Sequence, residues 1–438
     1  MSMTLILLND TLRLHDNPLL RIADGSNTKA AVMVLNRHAF FGQQYGIKRA
    51  NLQRLQQQLS VIRSLSSALA ARNIGLITLF GDTAQCLLKL AQQLGTTRLY
   101  CAEPVATYEY AAIARLSQQL SVTTFDCNSL LTAASHPGLE SLPDSFTAFR
   151  KKYEPSLQVT PPFDSTIPDE AWLTPAQAEH YNADFTQLRQ QYLPQPLHFS
   201  ASEDAALTHL KHYIWQQRHI LHYKDTRNQL IGKHYASFCS PALAVGSLSV
   251  RWLWHEIERF EQKILANDST YWLKFELLWR EFFRWQCRKH GASWFSKGGI
   301  QGLIDFTAPA LNTDQRQHFR NWCSANTGNA FIDANMKLLN QTGLMSNRGR
   351  QNVASYLVHD LGIDWRLGAA YFEQRLLDYD CASNWGNWAY IAGTGNSQAR
   401  QFNVQKQAQL YDPDGSFIRA MADTQPLSET GYDSAGLV

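Results

Sequence analysis

Short runs of leucine and β-branched residues recur through the first 126 residues and then stop, and this change of period limits the folds open to the chain. Residues 4–8, 31–35, 74–80, 98–101 and 122–125 read as strands, each bounded by polar or turn-forming residues. Amphipathic helices separate them. The clearest starts at Asp82, a side chain suited to an N-cap, carries Leu87, Leu88, Leu90 and Leu94, and meets Gly95 as its C-cap. Strands alternating with helices predict a doubly wound parallel sheet, an α/β domain over residues 1–127. No G-x-G-x-x-G follows the first run, which argues against a nicotinamide cofactor there.

Nine of the fifteen prolines lie between Pro137 and Pro196, where periodicity fades. Residues 128–200 therefore read as an interdomain linker. From Ser202 onward the pattern is helical, with cap candidates at Ser202, Ser249 and Ser269 and with Gly291 and Gly362 closing apolar segments. The expectation for residues 201–438 is a larger all-α domain. A length of 438 residues agrees with two cores rather than one.

Composition excludes several classes. No run of roughly eighteen apolar residues is present to cross a bilayer, and residues 1–10 lack the basic leader of a secretory signal. A cytoplasmic protein with no membrane partner is expected. The seven cysteines show no CxxC spacing, so neither a metal site nor a disulfide framework is expected. A net charge of +3 is too small to predict nucleic-acid binding and leaves that role to a local patch. All twelve tryptophans follow residue 170. They form either an aromatic core or a place where a planar cofactor or bases stack.

Three segments carry chemistry. In residues 275–283 Glu276 and Arg280 stand one helical turn apart, with Trp279 and Phe283 bordering the same face. An exposed i,i+4 ion pair is the plainer reading, but the neighbours are nearly all aromatic or aliphatic, and a charged pair there needs ligand atoms or further hydrogen bonds. Residues 344–352 gather Asn347, Arg348, Arg350, Gln351 and Asn352 at a helix start. That is either an anion site, suited to phosphates, or an asparagine-rich turn with solvated arginines. Residues 378–388 set Asp378, Asp380, Asn384 and Asn387 among aromatics without a nearby histidine. Hydrogen bonding to an uncharged heterocycle and to ribose fits this set better than metal binding.

These segments, taken with residues 12–18 (Leu-Arg-Leu-His-Asp-Asn-Pro) and 240–246 (Ser-Pro-Ala-Leu-Ala-Val-Gly), resemble the motifs of the photolyase/cryptochrome family, in the family's order and over nearly the whole chain. Residues 149–152, 333–336, 345–354 and 383–388 most resemble its DASH branch. The resemblance implies FAD in the helical domain, contacted by Tyr223, Ser237, Ser240, Arg280, Arg350, Asp378 and Asp380, with Asn384 facing the flavin N5. It implies that Glu276, Asn347 and Trp279 meet a damaged pyrimidine pair, and that Arg227 and Arg348 contact DNA phosphates. Tyr390 and Gln351 stand where enzymes acting on duplex DNA have tryptophan and methionine, so the implied substrate is single-stranded or looped DNA. Trp388 and Trp365 would supply electrons to the flavin, while Asn312 stands at the position of the third, exposed tryptophan, and Trp322 lies ten residues on. Glu109 is the candidate contact for an antenna, 5,10-methenyltetrahydrofolate in many relatives. The implied activity is light-driven repair of cyclobutane pyrimidine dimers. The alternative is a blue-light receptor that binds DNA or a protein without repair, a role that a long C-terminal extension would favour and the short segment after Tyr411 does not.

Overall fold

The structure, a computed structural model, describes residues 3–23, 25, 28–132, 138–168, 171–183, 200–395 and 397–422. All five expected strands form: β1 (Met3–Leu7), β2 (Thr28–Asn36), β3 (Leu76–Gly81), β4 (Arg98–Ala102) and β5 (Ser121–Phe125). They pair in parallel in the order β3-β2-β1-β4-β5, with Leu5 opposite both Ala30 and Leu99. Alternation sends Leu5 and Leu7 into one apolar cluster and Ile6 and Leu8 into another. Both faces are thus covered, as a parallel sheet requires. Between the strands run α1 (Leu52–Ala70), α2 (Thr83–Leu94) and α3 (Thr107–Leu116). The ends of α2 are those read from the sequence: Asp82 accepts the Gln85 N–H at 2.9 Å, and Gly95 takes φ +62°.

Residues 128–200 are more than a tether. They hold α4 (Phe146–Tyr153) and a short helix over Pro175–Glu179, and Trp172 pairs with Lys29 beside β2 while packing into the sheet's core. Pro137, Pro194 and Pro196 lie outside the described residues, as do residues 423–438 of the C-terminal segment. Prolines mark the breaks in this stretch. The spacing of Phe146, Phe149 and Tyr153 makes one apolar face, too short to read as a helix until it is buried against a neighbour.

The helical domain includes α5 (Ser240–Val245), α6 (Val250–Lys263), α7 (Asp268–His290), α8 (Thr313–Cys323), α9 (Asn347–Ser355), α10 (Trp365–Arg375) and α11 (Cys381–Ala392). Ser202 and Ser249 cap helices as expected. Ser269 does not: α7 begins two residues earlier, where the Asn267 side chain accepts the N–H groups of Ser269 and Thr270 at 2.9 Å each. Asparagine holds both orphan donors from outside the helix, and Ser269 is left inside the first turn.

Residues 12–18 hold the two domains together. Arg13 is buried and donates to the carbonyls of Cys127 (2.7 Å) and Gly246 (2.8 Å) and to Asn128 Oδ1 (3.0 Å). Asp16 accepts two bonds from Arg251, at 2.8 and 2.9 Å. Gly246 takes φ +72°, and a Cβ there would overlap the Asp10 carbonyl, so only glycine lets the domains approach this closely.

Candidate functional site

A cavity of about 310 Å³ opens in the helical domain, within the range of roughly 300–1,000 Å³ usual for small-molecule sites. Its wall contains Tyr223, Ser237, Ser240, Arg280, Arg350, Asp378, Asp380 and Asn384, the full set expected around a flavin dinucleotide. Arg227, Glu276, Asn347, Gln351, Tyr390 and Trp388 line the same cavity. Four helices deliver most of these groups: Ser240 comes from α5, Glu276 and Arg280 from α7, Asn347, Arg350 and Gln351 from α9, and Asn384, Trp388 and Tyr390 from α11.

Charge is fixed at two points of the wall. Arg350 on α9 makes a two-pronged contact with Asp378, at 2.8 and 3.0 Å, and donates through Nε to the Met345 carbonyl at 2.9 Å. Ser240 Oγ donates to the same carboxylate at 2.8 Å. Asp380 caps α11 by accepting the Ser383 N–H at 2.7 Å. Burial would raise its pKa, but Arg284 and Arg280 hold it below the usual carboxylate value.

The donor set fits FAD. Among the described residues Arg280 makes one hydrogen bond, 2.9 Å to the Asn128 carbonyl, and burial, reinforced by Arg284, pushes its pKa down to about 10. A half-buried guanidinium with donors to spare beside a second cation suits an anion such as a diphosphate. Asn384, which lines the cavity, donates to the Ala369 carbonyl at 2.9 Å, and this orients its amide. Arg284 was not singled out in the sequence. Its position four residues after Arg280, one turn along the same helix, was the available signal.

Glu276 does not pair with Arg280. Its partner is Arg227, and burial raises its pKa despite that cation. The i,i+4 pair is thereby replaced by a tertiary one, because Arg280 turns instead towards the domain seam. Trp279 lies next to the cavity wall rather than in it. One face stacks on Phe146 of α4, with centroids 3.7 Å apart and planes at 12°, and its ring meets Tyr390 edge-on at 5.6 Å. Arg348 also stands outside the lining, bound to Gln351 at 2.9 Å and to Asn228 at 3.0 Å, with its guanidinium over Tyr411.

Trp388 lines the cavity, and Trp365 lies outside the lining, donating to the Lys297 carbonyl at 3.1 Å. The Trp388 ring lies against Gly368 of α10, where a Cβ would overlap it. Trp322 is fully buried and meets Trp388 edge-on at 6.2 Å. Asn312 has a local explanation: it caps α8, accepting the Gln315 N–H at 2.8 Å.

A second cavity, about 230 Å³, lies between the domains and shares Arg280, Asp380, Leu243 and Ala244 with the first. Glu109 lines it, while its Oε2 accepts the N–H groups of Val105 (2.8 Å) and Ala106 (3.1 Å) at the start of α3. Asp10 faces the same space. Burial, together with the charges of Glu109 and Asp380, pushes its pKa up to about 7 against the opposing pull of Arg284.

Comparison with known proteins agrees with this geometry. Residues 272–423 match the FAD binding domain of DNA photolyase, and residues 4–169 match the DNA photolyase domain. A cryptochrome DASH of Natronomonas pharaonis is 39% identical over 431 residues, spanning 95% of this chain and 89% of that protein. The crystal structure of a Synechocystis cryptochrome superposes with a TM-score of 0.86 at 36% identity, covering 96% of this chain and 88% of that one. A class III photolyase from Agrobacterium tumefaciens superposes with a TM-score of 0.79 at 25% identity, covering 96% and 86%.

Proposed function

The chain belongs to the photolyase/cryptochrome family, alongside the DASH cryptochromes, and on that premise we propose that it repairs cyclobutane pyrimidine dimers in single-stranded or looped DNA under blue light. The observation that carries the proposal is the sharing of one cavity: Glu276, Asn347, Gln351 and Tyr390 line the same space as the flavin-binding set. Bound FAD supplies light absorption and one-electron transfer. The protein's residues hold the substrate and manage its charge.

Glu276 is the group best placed to meet a pyrimidine carbonyl. Burial raises its pKa against the opposing pull of Arg227, and Arg227 holds the carboxyl in place at the cavity wall. A donor aimed at an oxygen that gains negative charge lowers the barrier to splitting the dimer. Tyr390 and Gln351 support the single-strand preference. The Tyr390 ring carries Arg400 on one side, 4.7 Å from its centroid, and Trp279 at its edge. This wall is more polar than one made of tryptophan and methionine and offers less apolar contact to offset unpairing of a duplex, which costs a few kcal/mol, roughly. A methenyltetrahydrofolate antenna belongs to the same proposal, supported by the place of Glu109 in the second cavity.

Illumination of the FAD-loaded protein with a dimer-containing oligonucleotide, single-stranded and then annealed, tests the reading by chromatography of the product. Repair is expected on the single strand and much less on the duplex. Equal repair of both would remove the selectivity argument. No repair on either, with the flavin reduced, would replace the enzyme by a light receptor.

A further inference from the structure

The exposed side of α7 carries a row of aromatic rings flanked by cations from two other elements, and the function above uses only part of it. Tyr271 is 37% exposed, and Trp272, Phe275 and Trp279 are half-buried along the same helix. On one flank Arg227 lies over Trp272 at 5.4 Å and Lys224 at 5.3 Å. The other flank belongs to α4. There the Arg150 guanidinium lies over Phe275 at 5.6 Å and donates to Tyr271 Oη at 3.1 Å, and Lys151 is exposed beside it. The stacking of Phe146 on Trp279, whose ring meets the wall residue Tyr390, sets α4 beside the cavity wall. Three carboxylates interrupt the patch: Glu154 pairs with Arg150, Asp268 with Lys224 and Glu276 with Arg227. Lys151 and Lys152 add two cations with no carboxylate partner among the described ion pairs.

Cations alternating with partly exposed rings form a surface for a single nucleic-acid strand, because phosphates need the charge and every base has a face that stacks. We propose that the strand leaving the dimer cavity continues over this row onto α4, with Arg150 and Lys151 contacting phosphates and Tyr271 and Phe275 meeting bases. The proposal rests on the dimer reading above and extends it to the linker. From Tyr271 to Trp279 the helix rises roughly 12 Å at about 1.5 Å per residue, a length that matches about three stacked nucleotides at 3.4 Å each.

Fluorescence anisotropy of the FAD-loaded protein tests this with two labelled single strands carrying a central dimer, one of about five nucleotides and one of about twenty. In the double variant Arg150→Ala, Lys151→Ala, binding of the long strand is expected to weaken about tenfold. The slope of log K against log salt should fall by roughly 1.4, two phosphate contacts at about 0.7 each. The short strand should lose much less. Lys151→Glu, at an exposed position outside any described ion pair, repeats the test without disturbing the Arg150–Glu154 contact, and retained flavin absorbance confirms folding. An unchanged slope, or equal loss on both strands, overturns the strand path while leaving the dimer reading intact. A parent protein that binds neither strand overturns both.

Discussion

The two cavities share Arg280 and Asp380 yet use charge differently. In the seam between the domains, one ion pair joins Arg49 of the sheet domain to Glu373 of α10 at 2.7 Å, a pair 324 residues apart and almost fully buried. In the helical cavity the pairs Arg350–Asp378 and Arg227–Glu276 stay within one domain and border open space. The seam pair staples two bodies along the wall of the second cavity. The cavity pairs orient groups towards an occupant, so breaking them should change binding before it changes folding.

The largest effect should come from Arg49→Ala. It strands the buried Glu373 carboxylate, and breaking such a pair costs about 3–5 kcal/mol of stability. Thermal melts should show the loss while FAD affinity of the folded protein stays near that of the parent. Loss of FAD matching the loss of stability would erase the contrast between the two cavities.

Arg350→Ala should do the reverse, weakening FAD by about 2 kcal/mol, roughly thirtyfold, since Asp378 loses both of its bonds from that guanidinium. Titration of the apoprotein with FAD measures it. A variant that melts early but binds FAD normally would place this pair with the structural ones.

Gly368→Ala pits two effects against each other. Alanine is favoured in a helix by about 1 kcal/mol, but its methyl would overlap the Trp388 ring and Leu357, and overpacking costs about 1–3 kcal/mol. A net loss of stability is expected, with slower light-driven flavin reduction from the displaced ring. In a Trp388→Phe background the loss should shrink or reverse. An equal loss in both backgrounds would clear Trp388 of any part in it.

The last effect concerns pH. The Asp10 pKa is raised to about 7 in the fold from an ordinary value of 3.8, so the folded state favours its protonated form. The stabilisation this provides is present below about pH 4 and is lost as pH rises towards 7. Asp10→Asn should therefore gain on the parent in melting temperature between pH 5 and pH 8. A constant difference across that range would show that Asp10 titrates normally.

Much of the fold was legible in the chain. The strands of the first domain announced themselves as short apolar runs, and α2 through Asp82 and Gly95, because these signals act within a few residues. The cavity residues were legible by resemblance, and they do converge on one space. The helix over residues 146–153 was hidden in a proline-rich stretch, since its single apolar face has no stability until α7 covers it. Asn312 read as a missing electron carrier, whereas the structure also gives it a capping role that any local reading of Asn-x-x-Gln supports.

What the sequence determined alone was therefore period, caps and the order of motifs, all written over short stretches where backbone geometry relates neighbours directly. Partner choice was left to the tertiary structure. Glu276 stands one turn from Arg280 but pairs with Arg227, 49 residues away, and Trp279 stacks on Phe146 across the domain linker. Long side chains reach several neighbours at similar cost, and packing of distant helices decides which of those neighbours is present.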